Sequence, residues 1–522
     1  GMTGILMAIK LREAGIDDIV ILEKKDKLGG TWRENTYPGV ACDVPAHMYT
    51  YSFEPNPNWS SRFAGGDEIQ SYFEHVAKKY KVLPIIRFDE AVESCHFNHA
   101  KWTLKTSKQE TYIADFVISA TGILHHPAKP DIPGLDTFKG DCFHTAEWDH
   151  TVDLNDKNIG IIGTGSTAAQ VIPELVKQAK KVSVFQRTPQ WLVNLPNKQY
   201  SDQDKAKWIK KPQLLHRFHR WYTIAVEQIF SKAVIGKKFQ HALINLFSRL
   251  NLWLSIKDPT LRAKLKPDYR VGCKRIIVNS TFYDAIQKPN ADLVTEGIER
   301  ITPEGILNKD GTTHPLDVLV LSTGFHPFNF MRPMNLIGRE ELHIEDAWTD
   351  KIKAYRSVLL PNYPNFFLML GPNTPIGNFS VIAMSEVQGD YIIKLVDKWR
   401  ANEYDEVEPK SSAIEAFNNY IKKGIYKKFE IVDYSGVVEI QTLQKDGSLK
   451  KQPFDKSSAL KNQRQFSNKM FIEKKLSFDT YDKWLVMKNQ SFLNKSFQNH
   501  FLKRIRYIRF EKIRPKTILK PI

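Results

Sequence analysis

Apolar positions along the chain fall into runs of two kinds, and their order predicts alternating helices and parallel strands. Ile5–Ala14 carries apolar residues at helical spacing and stops at Gly15, and Ile19-Val-Ile-Leu-Glu23 then reads as a buried strand. A second amphipathic helix is expected from Ile69 to Tyr80. Two short strands follow, around Ala91–Asn98 and Trp102–Thr106, and then a strand at Phe116–Ser119. The rhythm restarts at Ile159-Gly-Ile-Ile-Gly163, a β-branched run opening into a glycine turn and a helix, with Val182-Ser-Val-Phe-Gln-Arg187 as the next strand. From about Asp202 to Leu261 the pattern is helical and rich in aromatics, too long for an ordinary βα connection, and is expected to shape an entrance. Its aromatics in Trp221–Phe247 are expected to be core. Asp317–Phe325 reads as a further buried strand returning the chain to its first unit, with a last strand in Pro364–Pro375 and a helix over Glu386–Ile392. Such alternation places the chain in the α/β class, with helices on both faces of mainly parallel sheets.

Glycines turn that pattern into two nucleotide sites. Gly163-x-Gly165-x-x-Ala168 follows a strand and opens a helix, so the helix N-terminus, with Ser166 and Thr167 in its first turn, offers free N–H groups to a pyrophosphate. The next strand ends in Arg187-Thr188 rather than in an acid. A 2′-phosphate needs a cation there and a bare ribose wants a carboxylate, so NADP(H) is favoured over NAD(H). At the start of the chain, Gly1 and Gly4 match the last two glycines of G-x-G-x-x-G, the first glycine and the strand before it lying outside the sequence. Gly1 would let the backbone approach a pyrophosphate and Gly4 would permit close helix–strand packing. Glu23, about 20 residues on, stands where a carboxylate accepts bonds from ribose hydroxyls. An ordinary helix beginning at a glycine carries the same residues. The fold expected is therefore two dinucleotide-binding, Rossmann-like three-layer domains.

Composition narrows the classes. The 522 residues are 42% apolar and 11% aromatic, ample for packed cores and enough for two or three domains. Cys42, Cys95, Cys142 and Cys273 are widely spaced with no C-x-x-C pair, which argues against a disulfide framework, a redox dithiol and a cysteine-rich zinc site, and fits a cytoplasmic enzyme. His125 and His126 have no partners at metal-ligand spacing and read as a solvated loop, so no metal is expected. No run of 18 or more apolar residues indicates a membrane span. The net charge of +17 suggests nucleic acid until its distribution is read: from Gln441 onward there are 20 Lys and Arg against 6 Asp and Glu, leaving the body nearly neutral. No specific nucleic acid is therefore expected, although the basic tail could touch anionic surfaces.

Three further stretches carry the chemistry. Phe138-x-Gly140-x-x-x-His144-x-x-x-Trp148-Asp149 lies between the two nucleotide units. Gly29-Gly30-Thr31-Trp32 continues through Tyr37-Pro-Gly39 to Asp43, and Leu265-Lys-Pro-Asp-Tyr-Arg-Val-Gly-Cys-Lys274-Arg275 follows the helical insertion. Together these resemble the fingerprints of type I Baeyer–Villiger monooxygenases within the flavin-containing monooxygenase family. The resemblance covers roughly Gly1 to Lys427. It implies FAD and NADP(H), oxygen from O2, and insertion of that oxygen beside a ketone carbonyl through a C4a-peroxyflavin to give an ester or lactone. By the same resemblance Arg275 is the active-site arginine, and Asp43 lies near the flavin and helps set it. Gly30, Thr31, Trp32 and Tyr49 lie near FAD, and Lys274 holds the NADP 2′-phosphate. A fixed guanidinium is the group this chemistry needs, because attack on a ketone builds an oxyanion.

The division expected is residues 1–145 and 311–440 for an FAD domain, 146–310 for an NADP domain with its insertion at 202–261, and 441–522 as an atypical basic tail. The substrate is expected to be a small ketone, aldehyde or sulfide. Oxygenation of nitrogen or sulfur is the alternative within enzymes, which Trp148 opposes because relatives of that kind carry a smaller aromatic there. A product that does not hold FAD, acting at most as a scaffold, is the alternative of another class.

Overall fold

A computed structural model describes residues 1–234, 237–349, 351–374 and 380–426, and three short strands beyond them at 439–443, 449–453 and 508–511. The rest of the expected basic tail lies outside the described residues.

The first segment opens with helix α1 (Met2–Glu13), which buries Ile5, Leu6, Ala8 and Ile9, and strand β1 (Ile21–Leu22). Helix α2 (Gly66–Lys79) carries Asp67 and Glu68 in its first turn and Lys78 and Lys79 in its last, matching its dipole, and buries Ile69, Phe73, Val76 and Ala77. Strand β2 (Ile86–Arg87) pairs in parallel with β1 alone. The expected five-residue strand at Ile19–Glu23 is thus reduced to two paired residues, and Val20 is exposed. Strands β3 (Val92–Asn98), β4 (Lys101–Thr106) and β5 (Thr111–Ala114) form an antiparallel meander, followed by β6 (Val117–Ser119).

The second segment contains β7 (Asp141–His144), β8 (Asn158–Ile162), helix α3 (Ser166–Gln178), β9 (Lys181–Phe185) and β10 (Leu192–Val193). The insertion folds as α4 (Asp202–Lys210), α5 (Gln213–Ala225), α6 (Lys238–Ser255) and α7 (Pro259–Leu265), with a π-helical turn after α5. Strands β11 (Ile277–Val278), β12 (Ala291–Val294) and β13 (Val318–Leu321) close it. One parallel sheet, β12-β9-β8-β13-β7, organises this half. Ile159, Ile161, Val182, Val184, Val318 and Val320 bury one face of it and Phe185, Val294, Leu319 and Leu321 the other, as the unbroken apolar runs require. Strands β7 and β13, which boundaries at 145/146 and 310/311 would give to the other domain, both pair within this sheet. Asp317–Phe325 therefore completes the second unit before the chain leaves it at Thr323-Gly324. The physical reason is edge satisfaction: β13 lies between β8 and β7, and moving it to the other domain would strand both neighbours.

On the return, β14 (Asn335–Ile337) joins β3 and β15 (Phe366–Leu368) pairs in parallel with β6. Helix α8 (Val381–Arg400) packs along α1, and α9 (Ser411–Tyr426) follows. Gly389 allows the α8 approach, since a Cβ there would stand 3.0 Å from Met7 Sδ.

Candidate active site

A cleft runs from the N-terminus of α1 to the seam between the two halves. Gly1 caps α1 with no side-chain hydrogen bond, leaving the first-turn N–H groups and the positive end of the helix dipole open to the cleft. The Gly1 nitrogen lies 3.5 Å from the Glu23 carboxylate. Gly30 stands opposite with φ of +57°, and a Cβ on it would sit 3.2 Å from Gly1 Cα. Two backbones thus meet without side chains and leave the floor bare. Thr31 and Trp32 begin the next turn, where the Trp32 indole N–H donates to the Tyr49 hydroxyl at 3.0 Å and the rings meet edge to face. Burial pushes the Tyr49 phenol well above its ordinary pKa, so it stays a neutral hydrogen-bonding group. These features fit a flavin dinucleotide: open amides for a pyrophosphate, a carboxylate beside them, and an aromatic wall further in.

At the seam, Asp43 and Arg275 meet across 232 residues of sequence. Arg275 Nε donates to Asp43 Oδ2 at 3.1 Å and Nη2 to Oδ1, a two-point ion pair in which Asp43 is 12% and Arg275 38% exposed. The carboxylate orients the guanidinium and leaves its other edge facing the cleft. Both ends are anchored. Parallel pairing of β11 with β10 fixes the chain just after Arg275. The Asp43 loop is tied to α3, because Tyr37 donates to Gln170 Oε1 at 2.9 Å and Gln170 Nε2 donates to the Ala41 carbonyl at 2.8 Å. Burial pushes the Tyr37 phenol up to about 12, keeping this donor protonated. Gly39, with φ of +81°, is obligatory here, since a Cβ would stand 2.6 Å from the Gln170 carbonyl oxygen.

On the far side of the seam, Gly163 has φ of +119° and its Cβ would strike the Ser322 carbonyl at 2.2 Å. Gly165 differs: it caps α3 at ordinary extended angles, with open space around it. Ser166 and Thr167 start α3, and Thr164 Oγ1 donates to the Thr188 carbonyl at 2.9 Å, binding the glycine turn to the end of β9. Arg187 is exposed and carries no ion pair among the described residues. It lies close enough to Lys274 that, after burial, its charge is the next cause lowering the Lys274 ammonium pKa, with only Asp268 acting the other way. Two like charges held together beside a helix N-terminus make a place for a polyanion, as a phosphate-bearing nicotinamide dinucleotide would be.

The linker stretch is built for a crossing. A Cβ on Gly140 would lie 2.2 Å from the Asp317 carbonyl oxygen, so β7 and β13 approach there only with glycine. Phe138 packs on the sheet, and Trp148 lies edge to face on Phe143. His144 is buried, its Nδ1 accepts from the Ala146 N–H at 3.0 Å, and its ring meets Phe325 and the Gly324 backbone. It therefore touches the second crossing while sitting on the first. Asp149 is an exposed turn cap, accepting from the Thr151 N–H at 2.9 Å and from its hydroxyl.

One expectation changes. His125 and His126 are partly buried rather than solvated: they bond the Phe330 and Arg332 carbonyls at 2.6 and 2.8 Å, securing the segment after β6. No group of metal-ligating side chains occurs among the described residues. Sequence reasoning also passed over Tyr222 of α5, whose phenol faces Asp43 and is raised to about 12 by burial and then by that charge. Beside it Trp208, Phe218 and Tyr200 surround His47, whose imidazole burial lowers to about 4. Helical spacing could have placed Tyr222 on the inner face of α5, but not over an aspartate 179 residues away.

Residues 1–241 match the family model for pyridine nucleotide-disulphide oxidoreductases. An uncharacterised monooxygenase of Mycobacterium tuberculosis is 44% identical over 402 residues, spanning 77% of this chain and 81% of the relative. A Baeyer–Villiger monooxygenase of Streptomyces coelicolor is 36% identical over 426 residues, spanning 81% and 82%. Among solved structures, open cyclohexanone monooxygenase superposes with a TM-score of 0.72 at 28% identity over 81% of this chain and 91% of that one. Oxidised steroid monooxygenase bound to NADP gives 0.73 at 26% identity over 81% and 89%. Likeness of this depth, carried by a site whose two halves suit a flavin and a nicotinamide dinucleotide, shows that the chain belongs to the Baeyer–Villiger monooxygenase family and is an FAD-dependent NADPH monooxygenase.

Proposed function

We propose that the chain converts a ketone to an ester or lactone, with Arg275 as the catalytic residue and Asp43 as the group that positions it. The observation that carries this reading is the two-point Asp43–Arg275 pair at the seam, between a cleft suited to FAD and a turn suited to NADPH. The oxygen chemistry would be supplied by FAD and NADPH when bound. The protein's own work is placement and charge. Arg275 N–H groups not engaged by Asp43 donate to the carbonyl oxygen as it gains negative charge, and a guanidinium remains protonated throughout, so no proton leaves it. Gly1, Gly4, Glu23, Gly30, Thr31, Trp32 and Tyr49 hold FAD. Gly163, Gly165, Ser166, Thr167, Arg187, Thr188 and Lys274 hold NADPH, with Lys274 and Arg187 on its 2′-phosphate. Phe138, Gly140, His144, Trp148 and Asp149 shape the crossing between the halves. Tyr222 and the aromatics around His47 close the site against water.

The test is oxidation of NADPH by the FAD-loaded chain in the presence of a panel of cyclic and linear ketones, with products identified by mass spectrometry. Ester or lactone in proportion to NADPH consumed is the expected result. Sulfide converted to sulfoxide while every ketone is returned unchanged would replace the reading with heteroatom oxygenation.

A further inference from the structure

Helix α6 is apolar on two sides. Ser248, Leu252 and the partly buried Ile244 face the protein. The opposite side presents Phe239, Leu243, Leu246, Phe247, Leu250 and Trp253, all exposed, Phe239 at 76% and Trp253 at 59%. At the α-helical angle these residues occupy an arc of about 120°. Helix α5 adds Trp221, 70% exposed. Trp221, Phe239 and Phe247 thus depart from the expectation that the aromatics of the insertion are core, while Tyr222 and Phe230 meet it, and an apolar stripe like that of α6 marks an interaction site.

The charges around it select the partner. From Lys205 to Lys257 the sequence holds eleven Lys and Arg and one acid, Glu227. Lys207, Lys210, Lys211, Arg217, Arg220 and Arg249 are exposed, Lys237 and Lys238 stand exposed at the start of α6, and Lys257 lies just past its end. A second copy meeting this face about a two-fold axis would bring cations against cations. An anionic lipid surface meets both demands, receiving the Phe, Leu and Trp side chains among its acyl chains and the cations among its headgroups. The 18 residues of α6 suit a helix lying in that plane, and among the described residues no helix is long and apolar enough to cross a membrane.

We propose that α5 and α6 form a docking surface for an anionic lipid bilayer, with the Phe239–Trp253 stripe inserted at the acyl boundary. The inner side of α5 carries Tyr222 beside Asp43, so docking sets the bilayer against the elements that cover the site. The inference is independent of which substrate is oxidised.

Co-sedimentation of the FAD-loaded full chain tests it, using phosphatidylcholine vesicles with and without roughly a third phosphatidylglycerol. Measurement at low salt and at on the order of 0.5 M salt separates insertion from the screened attraction of the basic tail. The chain is expected to bind the anionic vesicles and to keep a salt-resistant fraction. The triple variant Leu246→Ser, Leu250→Ser, Trp253→Ser should lose that fraction at least tenfold, while flavin content and circular dichroism stay unchanged. Brominated lipid should quench fluorescence present in the parent and absent from Trp253→Phe. Unaltered salt-resistant binding by the triple variant, or no quenching of Trp253, would overturn the proposal. So would concentration-dependent self-association that the triple variant abolishes, since a second copy would then cover the stripe.

Discussion

The two nucleotide halves solve the same problem with unequal means. In the NADP half, five parallel strands share one sheet, and their buried residues form two clusters, the larger with α3 and the base of the insertion. In the FAD half, α1 packs on α8, the Tyr51, Trp59, Tyr72 and Phe73 cluster fills the space beside them, and β14-β3-β4-β5 form a sheet of their own. The residues proposed to hold FAD come from separate elements, the start of α1, the end of β1 and the Gly30 turn, whereas the NADP turn sits on one sheet, so FAD should order its half more than NADPH orders the other.

Four experiments break or sharpen that contrast. The largest effect is expected at the seam that both halves share. Arg275→Ala should lower kcat/KM for the ketone by on the order of a hundred- to a thousandfold, as loss of an oxyanion donor does, with FAD still bound. An equal loss of flavin would move Arg275 from chemistry to assembly. Next, hydrogen exchange should find amides of β8, β9 and β13 on the order of a hundredfold slower than those of residues 29–43 without FAD, and added FAD should slow only the second set. Uniform protection would erase the distinction drawn here.

The third effect concerns Lys274. Because its ammonium pKa is lowered, it loses its proton, and with it its charge, at lower pH than an ordinary lysine. kcat/KM for NADPH, which reports the free enzyme, should therefore fall as pH rises, earlier than ordinary lysine titration would allow. Lys274→Ala should flatten that fall and raise KM for NADPH about tenfold to a hundredfold, with less effect on NADH. The smallest effects separate neighbouring glycines. Gly163→Ala must move the Ser322 carbonyl and adopt a strained φ, costing about 1–3 kcal/mol and lowering Tm. Gly165→Ala meets open space at an ordinary φ, so Tm should hold while KM for NADPH rises several-fold. If both variants behave alike, the turn is purely structural.

The sequence by itself determined whatever depends on neighbours along the chain. The glycine turns, their following helices, the β-branched strands of the second sheet and the amphipathic α2 all follow from local spacing, and the three motifs named the residues around the cleft. Tertiary structure alone decided what depends on distant partners. It gave Arg275 its aspartate across 232 residues and hung the Asp43 loop on Gln170 of the other half. It drew β7 and β13 into one sheet, and it put Tyr222 over the site. It also chose which apolar face of α6 was buried. Periodicity tells that a helix has an apolar side, but α6 has two, and only the strands and helices already in place determine which one finds a core and which is left facing outward.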